Sequence, residues 1–389
     1  MQNARGLTYD ELWKWLDERG EKTYRAKQVF AWIHRPVAST EGMTDIKKGL
    51  RDALAESFDF ALPTVTTREV SPDGTRKYLF TSPDGGAYEA VYIPEVAVGS
   101  GTNTLCVSSQ TGCAVGCTFC FTASLRKNRN LTTAEIIGQV HAAQLDLNQS
   151  AIEAGADPKD EQQMPKITNI VFMGMGEPLL NYDNVVVACQ LMADTRGLAF
   201  PWRRITVSTA GIVPNMQRLS EETEVQLALS LHAASDEIRS QIVPINKKWG
   251  VPALMQALKD YKLPKRRKFT IEYVMLGDVN DSIEEAHKLA VLLADVPCKI
   301  NLLPLNPHER TVHKTPTRAR ALAFQKVLLD RGFNVFIRTP RGQEISAACG
   351  QLGGLAEAEK TRQSLLPIAP PQVPELHAAA AQVEAAPVF

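Results

Sequence analysis

TLCVSSQTGCAVGCTFCF, residues 104–121, opens on a strand-like run and then places Cys113, Cys117 and Cys120 within eight residues of loop. Phe119 stands immediately before the last of them. Iron–sulfur clusters are usually held by four cysteines. Three ligands would leave one iron of a four-iron cluster open to a substrate, the logic by which a catalytic metal keeps an open position. The competing readings are a zinc site completed by a histidine, and cysteines packed as small hydrophobes. The full three-cysteine spacing favours a 4Fe-4S cluster on Cys113, Cys117 and Cys120.

Outward from this loop, from about residue 99 to 344, short apolar runs alternate with helical stretches. The strand candidates are Thr104–Ser108, Ile167–Met173, Arg204–Ser208, Val225–His232, Phe269–Leu276, Ile300–Leu303 and Val335–Arg338. Helices fit Thr133–Leu147, Asn184–Ala193, Ser282–Leu293 and Ala319–Arg331. Such alternation predicts an α/β fold with a parallel sheet and βαβ crossovers, a full or partial (β/α) barrel. Sites then belong at the C-terminal ends of the strands.

The flanks differ in character. Residues 1–63 read as a small helical module: a Thr8/Glu11 capping box with Gly20 as the stop, then Tyr24–Ile33, then about Thr44–Phe58. Residues 64–98 read as an antiparallel ribbon, with turns at Pro72-Asp73-Gly74 and Pro83-Asp84-Gly85. The barrel core occupies 99–344, a segment carrying Cys349 occupies 345–364, and 365–389 is a Pro- and Ala-rich stretch expected to be a disordered tail.

Composition sets outer bounds. The 389 residues are 44% hydrophobic, enough for a sizeable core, and 43 basic residues balance 43 acidic ones. Global charge therefore gives no push toward nucleic acid, and any such surface must be a local patch. Seven cysteines without a secretion signal argue against a disulfide framework. With no apolar run of membrane-spanning length, a cytoplasmic protein is the default expectation.

The cysteine loop resembles that of radical S-adenosylmethionine (SAM) enzymes. The wider text is more specific: LCVSSQTGC, RNLTTAEIIGQV, FMGMGEPLLN, SLHAASDEIRSQIVPINKK and SAACGQLGG together resemble the RlmN-type adenine C2 methyltransferases of 23S rRNA and tRNA. The likeness runs from YRAKQVFAWIH to Gly354. It implies a partial barrel of the radical SAM type, a 4Fe-4S cluster and SAM.

Residue by residue, the resemblance implies that Gly176 and Glu177 of MGMGEP meet the methionyl amine of SAM. It adds Ser208, Ser230, Leu231, His232 and Asn306 as further SAM contacts. Each of these alone is more often a strand-end cap, and His232 could equally be structural. Cys349 becomes the methyl carrier, Cys106 its redox and disulfide partner, and Glu89 the proton acceptor. Adenine C2 is electron-poor and has no nucleophilic character toward a sulfonium methyl, so the methyl must arrive as a radical. The implied sequence uses two SAM molecules: one methylates Cys349, and the other yields the radical that activates that methyl. Thiolate attack by Cys106 then releases the product. Cys189 and Cys298 read as buried hydrophobes.

The implied partners are 23S rRNA and tRNA, with an electron donor such as flavodoxin and no membrane, for a chain acting as a monomer. Basic groupings at Arg126/Lys127/Arg129, Arg203/Arg204, Lys247/Lys248 and 265–268 (KRRK), with Arg25, Lys27, Lys47 and Lys48 of the helical module 1–63, which reads as an RNA-docking addition, are candidate RNA contacts. The alternatives are a C8 methyltransferase of the Cfr type and a radical SAM enzyme that modifies a polypeptide. Two stretches depart from the family pattern: VAVGSGTN at 96–103, and Thr122 to Lys127.

Overall fold

A computed structural model describes residues 1–35, 39–82, 84–95, 101–125 and 128–358. Thr8 and Glu11 satisfy each other's backbone amides in the expected capping box. This box starts α1 (Tyr9–Asp17), and Gly20, at φ +71°, turns the chain after it. α2 (Thr23–Ile33) and α3 (Lys48–Ser57) follow. The third helix begins later than Thr44 because Asp45 accepts hydrogen bonds from Trp32 Nε1 and Gln28 Nε2, which hold it as a turn against α2. β1 (Gln2–Asn3) pairs in parallel with β2 (Phe58–Asp59) and clasps the two ends of this module.

The ribbon consists of β3 (Thr64–Val70), β4 (Arg76–Thr81) and β5 (Ala87–Ile93), paired antiparallel. It does not stand apart from the core. β5 also pairs antiparallel with β6 (Thr104–Cys106), so the ribbon extends the main sheet. The remaining strands are β7 (Asn169–Phe172), β8 (Ile205–Thr209), β9 (Gln226–Ser230), β10 (Phe269–Met275), β11 (Cys298–Pro304) and β12 (Asn334–Ile337). From β6 onward every pairing is parallel, in the order β6-β7-β8-β9-β10-β11-β12.

Helices provide the crossovers. They are α4 (Thr133–Glu153), α5 (Tyr182–Ala193), α6 (Val213–Glu222), α7 (Asp236–Ile242), α8 (Val251–Asp260), α9 (Ile283–Leu292) and α10 (Arg318–Asp330). The short helices α6, α7 and α8 were not among the sequence expectations. Pro214 and Pro252 sit in the first turns of α6 and α8, where a missing N–H costs nothing.

Among the described residues the ten-stranded sheet has β3 and β12 as its edges, which makes the barrel partial. The segment after β12 spans the gap. Arg341 pairs with Asp73 at 2.8 Å, the Gly342 N–H donates to Asp73 Oδ2 at 3.2 Å, and Ser71 Oγ donates to Glu344 at 2.9 Å. The chain beyond β12 is therefore strapped to the β3–β4 turn. The two faces of the sheet are distinct: the Tyr273 ring packs, tilted, against Phe324 of α10 outside, while Val274 packs inside against the cysteine loop. No helix of the described residues is long and apolar enough to cross a membrane. The expected tail, 365–389, and residues 359–364 of the Cys349 segment lie outside the described residues.

The helical module docks on α4 through buried polar groups. Arg5 Nη1 donates to His141 Nδ1 at 2.6 Å and to the Ile33 carbonyl at 2.8 Å. Because His141 Nδ1 accepts, its proton sits on Nε2, which donates to the His34 carbonyl at 3.1 Å. Both ring nitrogens of His34 are buried without a hydrogen-bond partner. Burial, with Arg5 adding to it, lowers His34 to about 4, and His141 lies well below its ordinary value for the same reasons. The folded chain thus keeps these rings neutral, while the unfolded chain binds protons below about pH 6.5. Stability is therefore full above that pH and falls as pH drops toward 4, by roughly 3 kcal/mol for His34 alone. Urea midpoints should decline between pH 7 and pH 5, and His34→Leu should flatten that decline; an unchanged slope in the variant would remove His34 from the account.

Candidate active site

The cysteine loop lies across the C-terminal ends of the parallel strands. Val115 and Phe119 pack with Ala210, Ala233, Leu276 and Leu305, the residues that follow β8, β9, β10 and β11. Cys113, Cys117 and Cys120 border that cluster. Gly116, at φ +77°, makes the turn between the first two, and the Thr118 N–H donates to the Ile242 carbonyl at 3.1 Å. All three thiols are free. Burial pushes Cys113 up to about 12, aided by the nearby Cys120, and Cys117 rises well above its usual value with both neighbours opposing its ionisation.

Three thiolates could coexist here only with strong positive charge among them, which a metal centre supplies. Among the described residues no three His, Cys, Asp or Glu side chains converge closely enough to hold one metal ion. In an iron–sulfur cluster each of these thiolates would bind a different iron.

The glycine turn after β7 abuts this loop. Gly176 has φ +102°, and a Cβ there would lie 2.6 Å from Gln110 Cβ, so both conformation and space demand glycine. The close approach lets the Glu177 N–H donate to Gln110 Oε1 at 2.9 Å. The Glu177 carboxylate is buried and accepts the N–H of Leu179 at 3.0 Å and of Ala210 at 2.7 Å. Burial raises its pKa, against those amides. Two oxygens offer about four acceptor positions, so these bonds leave capacity for an ammonium.

The other expected contacts share the inner rim. Ser208 Oγ and Ser230 Oγ lie 3.3 Å apart. The Leu231 side chain is fully buried, and its N–H donates to the Glu272 carbonyl at 3.1 Å. His232, at φ +62°, accepts the Val274 N–H on Nδ1 at 3.0 Å and meets the Phe119 ring edge-on. Burial, with Arg239 second, lowers His232 to about 3, so it is a neutral ring completing the sheet. Asn306 Nδ2 donates to the Cys349 carbonyl at 3.2 Å, while its Oδ1 is buried without a partner. That orphaned acceptor fits a ligand donor in the same pocket.

The segment carrying Cys349 is fastened to the cysteine loop by its backbone. The Phe121 N–H donates to the Gly350 carbonyl at 2.7 Å, and Thr122 Oγ1 donates to the Leu352 carbonyl at 2.6 Å. Glu89, fully buried on β5, accepts the N–H groups of Gly353 and Ala356 on Oε1, both at 3.0 Å. Its Oε2 is buried without a partner. Burial raises its pKa, and Lys77 opposes the rise.

Cys106 is buried on β6, whereas Cys349 is exposed. Burial still pushes the Cys349 thiol up to about 11, with Glu272 adding to the rise and Arg338 opposing it. A residue both open to solvent and crowded by protein lines a concavity. The disulfide implied between Cys106 and Cys349 is not formed, since both are free thiols. The two reduced cysteines are nonetheless neighbours: burial, with Cys349 second, raises the Cys106 thiol above its usual value. Cys189 and Cys298 are buried.

Some residues of the site were not singled out in the sequence. Glu272 is buried on β10 and accepts Asn301 Nδ2 at 2.9 Å. A lone acid in the apolar strand FTIEYVM was the available signal. Arg239 is fully buried, donating to the carbonyls of Leu231, Ala210 and Ser230 and to Asn246 Oδ1. The loop after β11 reaches the cysteine loop through His308 Nε2 to the Phe119 carbonyl and His313 Nε2 to Thr118 Oγ1.

The basic groupings do not converge. Lys247 and Lys248 lie beside the cysteine loop, where Pro244 packs near Gly116. Arg203, Arg204 and residues 265–268 precede β8 and β10, at the opposite end of the strands. A cavity of about 330 Å³ lined by Lys268, Cys298 and Arg331 is likewise at that far end. Arg129 is committed to Asp84 and Glu135, and Arg126 and Lys127 lie outside the described residues.

The Radical SAM superfamily profile matches residues 107–290, and the profile of the ribosomal RNA large subunit methyltransferase N-terminal domain matches residues 2–59. A protein of Geobacter sulfurreducens named dual-specificity RNA methyltransferase RlmN is 47% identical over 361 residues, 92% of this chain and 94% of its own. A protein of the same name from Pseudomonas fluorescens is 44% identical, covering 97% of this chain and 95% of its own. The crystal structure of a radical SAM methyltransferase from Sphaerobacter thermophilus superposes with a TM-score of 0.80 at 39% identity, over 90% of this chain and 99% of that one.

Proposed function

The chain belongs to the RlmN family of radical SAM RNA methyltransferases, and on that premise we propose that it methylates C2 of an adenosine in 23S rRNA and in tRNA by way of a methylated Cys349. Its cofactors are a 4Fe-4S cluster and SAM. When bound, these supply a methyl group and a carbon-centred radical, from two SAM molecules per turnover. Cys113, Cys117 and Cys120 would hold three irons of the cluster. Gly176 and Glu177 would receive the methionyl amine, and Ser208, Ser230, Leu231, His232 and Asn306 would complete that pocket. Cys349 carries the methyl on its sulfur; that methyl gives up one hydrogen atom to the SAM-derived radical, and its carbon bonds to C2. The adduct returns the one electron that generated the radical, and Glu89 accepts the C2 proton through its unpartnered Oε2. Cys106 then attacks the Cys349 sulfur; the carbon–sulfur bond breaks, its carbon takes a proton to complete the new methyl group, and a Cys106–Cys349 disulfide is left for reduction. An electron donor such as flavodoxin supplies electrons, and the chain acts as a monomer.

One observation supports this reading above the others. The Cys349 segment is fastened at once to the cysteine loop, to Asn306 and to Glu89. An enzyme that modified a polypeptide would have no use for a cysteine so held. Anaerobic purification should yield a brown protein with about four irons per chain. Incubation with SAM, reductant and a 23S rRNA fragment should give 2-methyladenosine on digestion and mass spectrometry. Methyl found only at C8 would replace the proposal with the Cfr-type reaction.

A further inference from the structure

Phe336, on the edge strand β12, leaves 53% of its surface open. Tyr24 is the other large aromatic so exposed among the described residues, and the Arg25 guanidinium lies over its ring. A single exposed hydrophobe is ordinary. The direction in which this one points is informative.

Paired residues of a parallel sheet project to the same face, and neighbours along a strand alternate. Phe336 pairs with Asn301, Asn301 with Glu272, and Glu272 with Ser230. Ser230 Oγ meets Ser208 Oγ, and Asn301 Nδ2 donates to Glu272. These residues form one row across the inner face, and Phe336 is its outermost member. Val335, which alternates with it, is buried on the α10 side. The row ends where strands fail to close the barrel. Arg338 continues the same face two residues on and is also exposed. Its charge acts on Glu272 and on Cys349, which puts it at the same concavity.

An enzyme acting on a base inside RNA must receive that base unstacked. Unpaired bases are held by stacking on aromatic rings, beside cations that meet the backbone. We propose that Phe336 is the platform on which the target adenine stacks as it enters through the open edge of the barrel, with Arg338 meeting the RNA backbone beside it. This rests on the reading of RNA as substrate. It assigns substrate recognition to the edge strand, in addition to the helical module.

Steady-state methylation of an RNA hairpin tests it with Phe336→Ala, Phe336→Leu and Phe336→Trp. Alanine and leucine should each raise KM for RNA roughly 5- to 150-fold, the range of one lost base–aromatic stack, and tryptophan should restore it. Iron content and methylation of Cys349, read by intact-protein mass spectrometry, should be unchanged in all three. Wild-type KM in Phe336→Ala would overturn the proposal, as would full rescue by leucine, which keeps the apolar contact but not the stack. Wild-type protein that methylates no RNA would instead strike the functional reading beneath it.

Discussion

Alanine at position 349 is expected to leave a protein that keeps its iron and its fold but transfers no methyl group to RNA. The fold should survive because the segment is fastened by main-chain groups. Asn306 binds the Cys349 carbonyl, the Phe121 N–H binds that of Gly350, and Glu89 holds the amides of Gly353 and Ala356. None of these needs the thiol. Truncating an exposed side chain away from such features changes stability by about 0.5 kcal/mol or less. The chemistry should fail completely, because no other cysteine stands in that place: Cys106 is buried within a strand, and Cys189 and Cys298 are buried on other elements. Iron per chain, melting temperature and RNA mass read the three parts separately. Measurable RNA methylation by Cys349→Ala would sink the methyl-carrier role.

Glu89→Gln should lower turnover by about 10²- to 10⁴-fold, the usual worth of a positioned base. A glutamine oxygen can still accept the amides of Gly353 and Ala356, so the latch is preserved while the basicity is lost. Release of the Cys349 sulfur requires the C2 proton to leave first, so a covalent protein–RNA adduct should accumulate and be visible on a denaturing gel. Burial raises the carboxyl pKa. Activity should therefore rise with pH through a limb above the ordinary carboxylate range, and that limb should vanish in the glutamine variant. Glu89→Ala removes the latch as well, leaves two buried amides unpaired, and should lower the melting temperature. If Glu89→Gln turned over like wild type while Glu89→Ala did not, Glu89 would be a positioning residue and another group would take the proton.

Legibility in the sequence followed range along the chain. The cysteine loop, the glycine turn at Gly176 and the Thr8/Glu11 cap are local devices, in which spacing alone carries the physics. The strands of the barrel were legible as short, largely apolar runs, as in LALS of β9, although the inner face of β7, β11 and β12 is less buried than the outer. Helices α6 to α8 were not: Pro214 and Pro252 in the first turns of α6 and α8 break the local pattern, and α7 spans only seven residues. The union of ribbon and core was also hidden, because the pairing of Val91 with Cys106 joins residues whose sequences say nothing of each other.

The sequence by itself determined the three-cysteine loop and the strand–helix alternation, and resemblance supplied the roles proposed for Cys349 and Cys106. Tertiary structure alone decided what surrounds them. Only the fold shows that Glu89 holds the segment beyond Cys349, that Glu272 and Arg338 act on its thiol, and that Phe336 ends the inner row. The reason is physical: a motif records contacts within one turn or loop, whereas a pocket at strand ends is made by register between strands far apart in the chain. The edges β3 and β12, joined by the strap from Arg341 to Asp73, are such a feature.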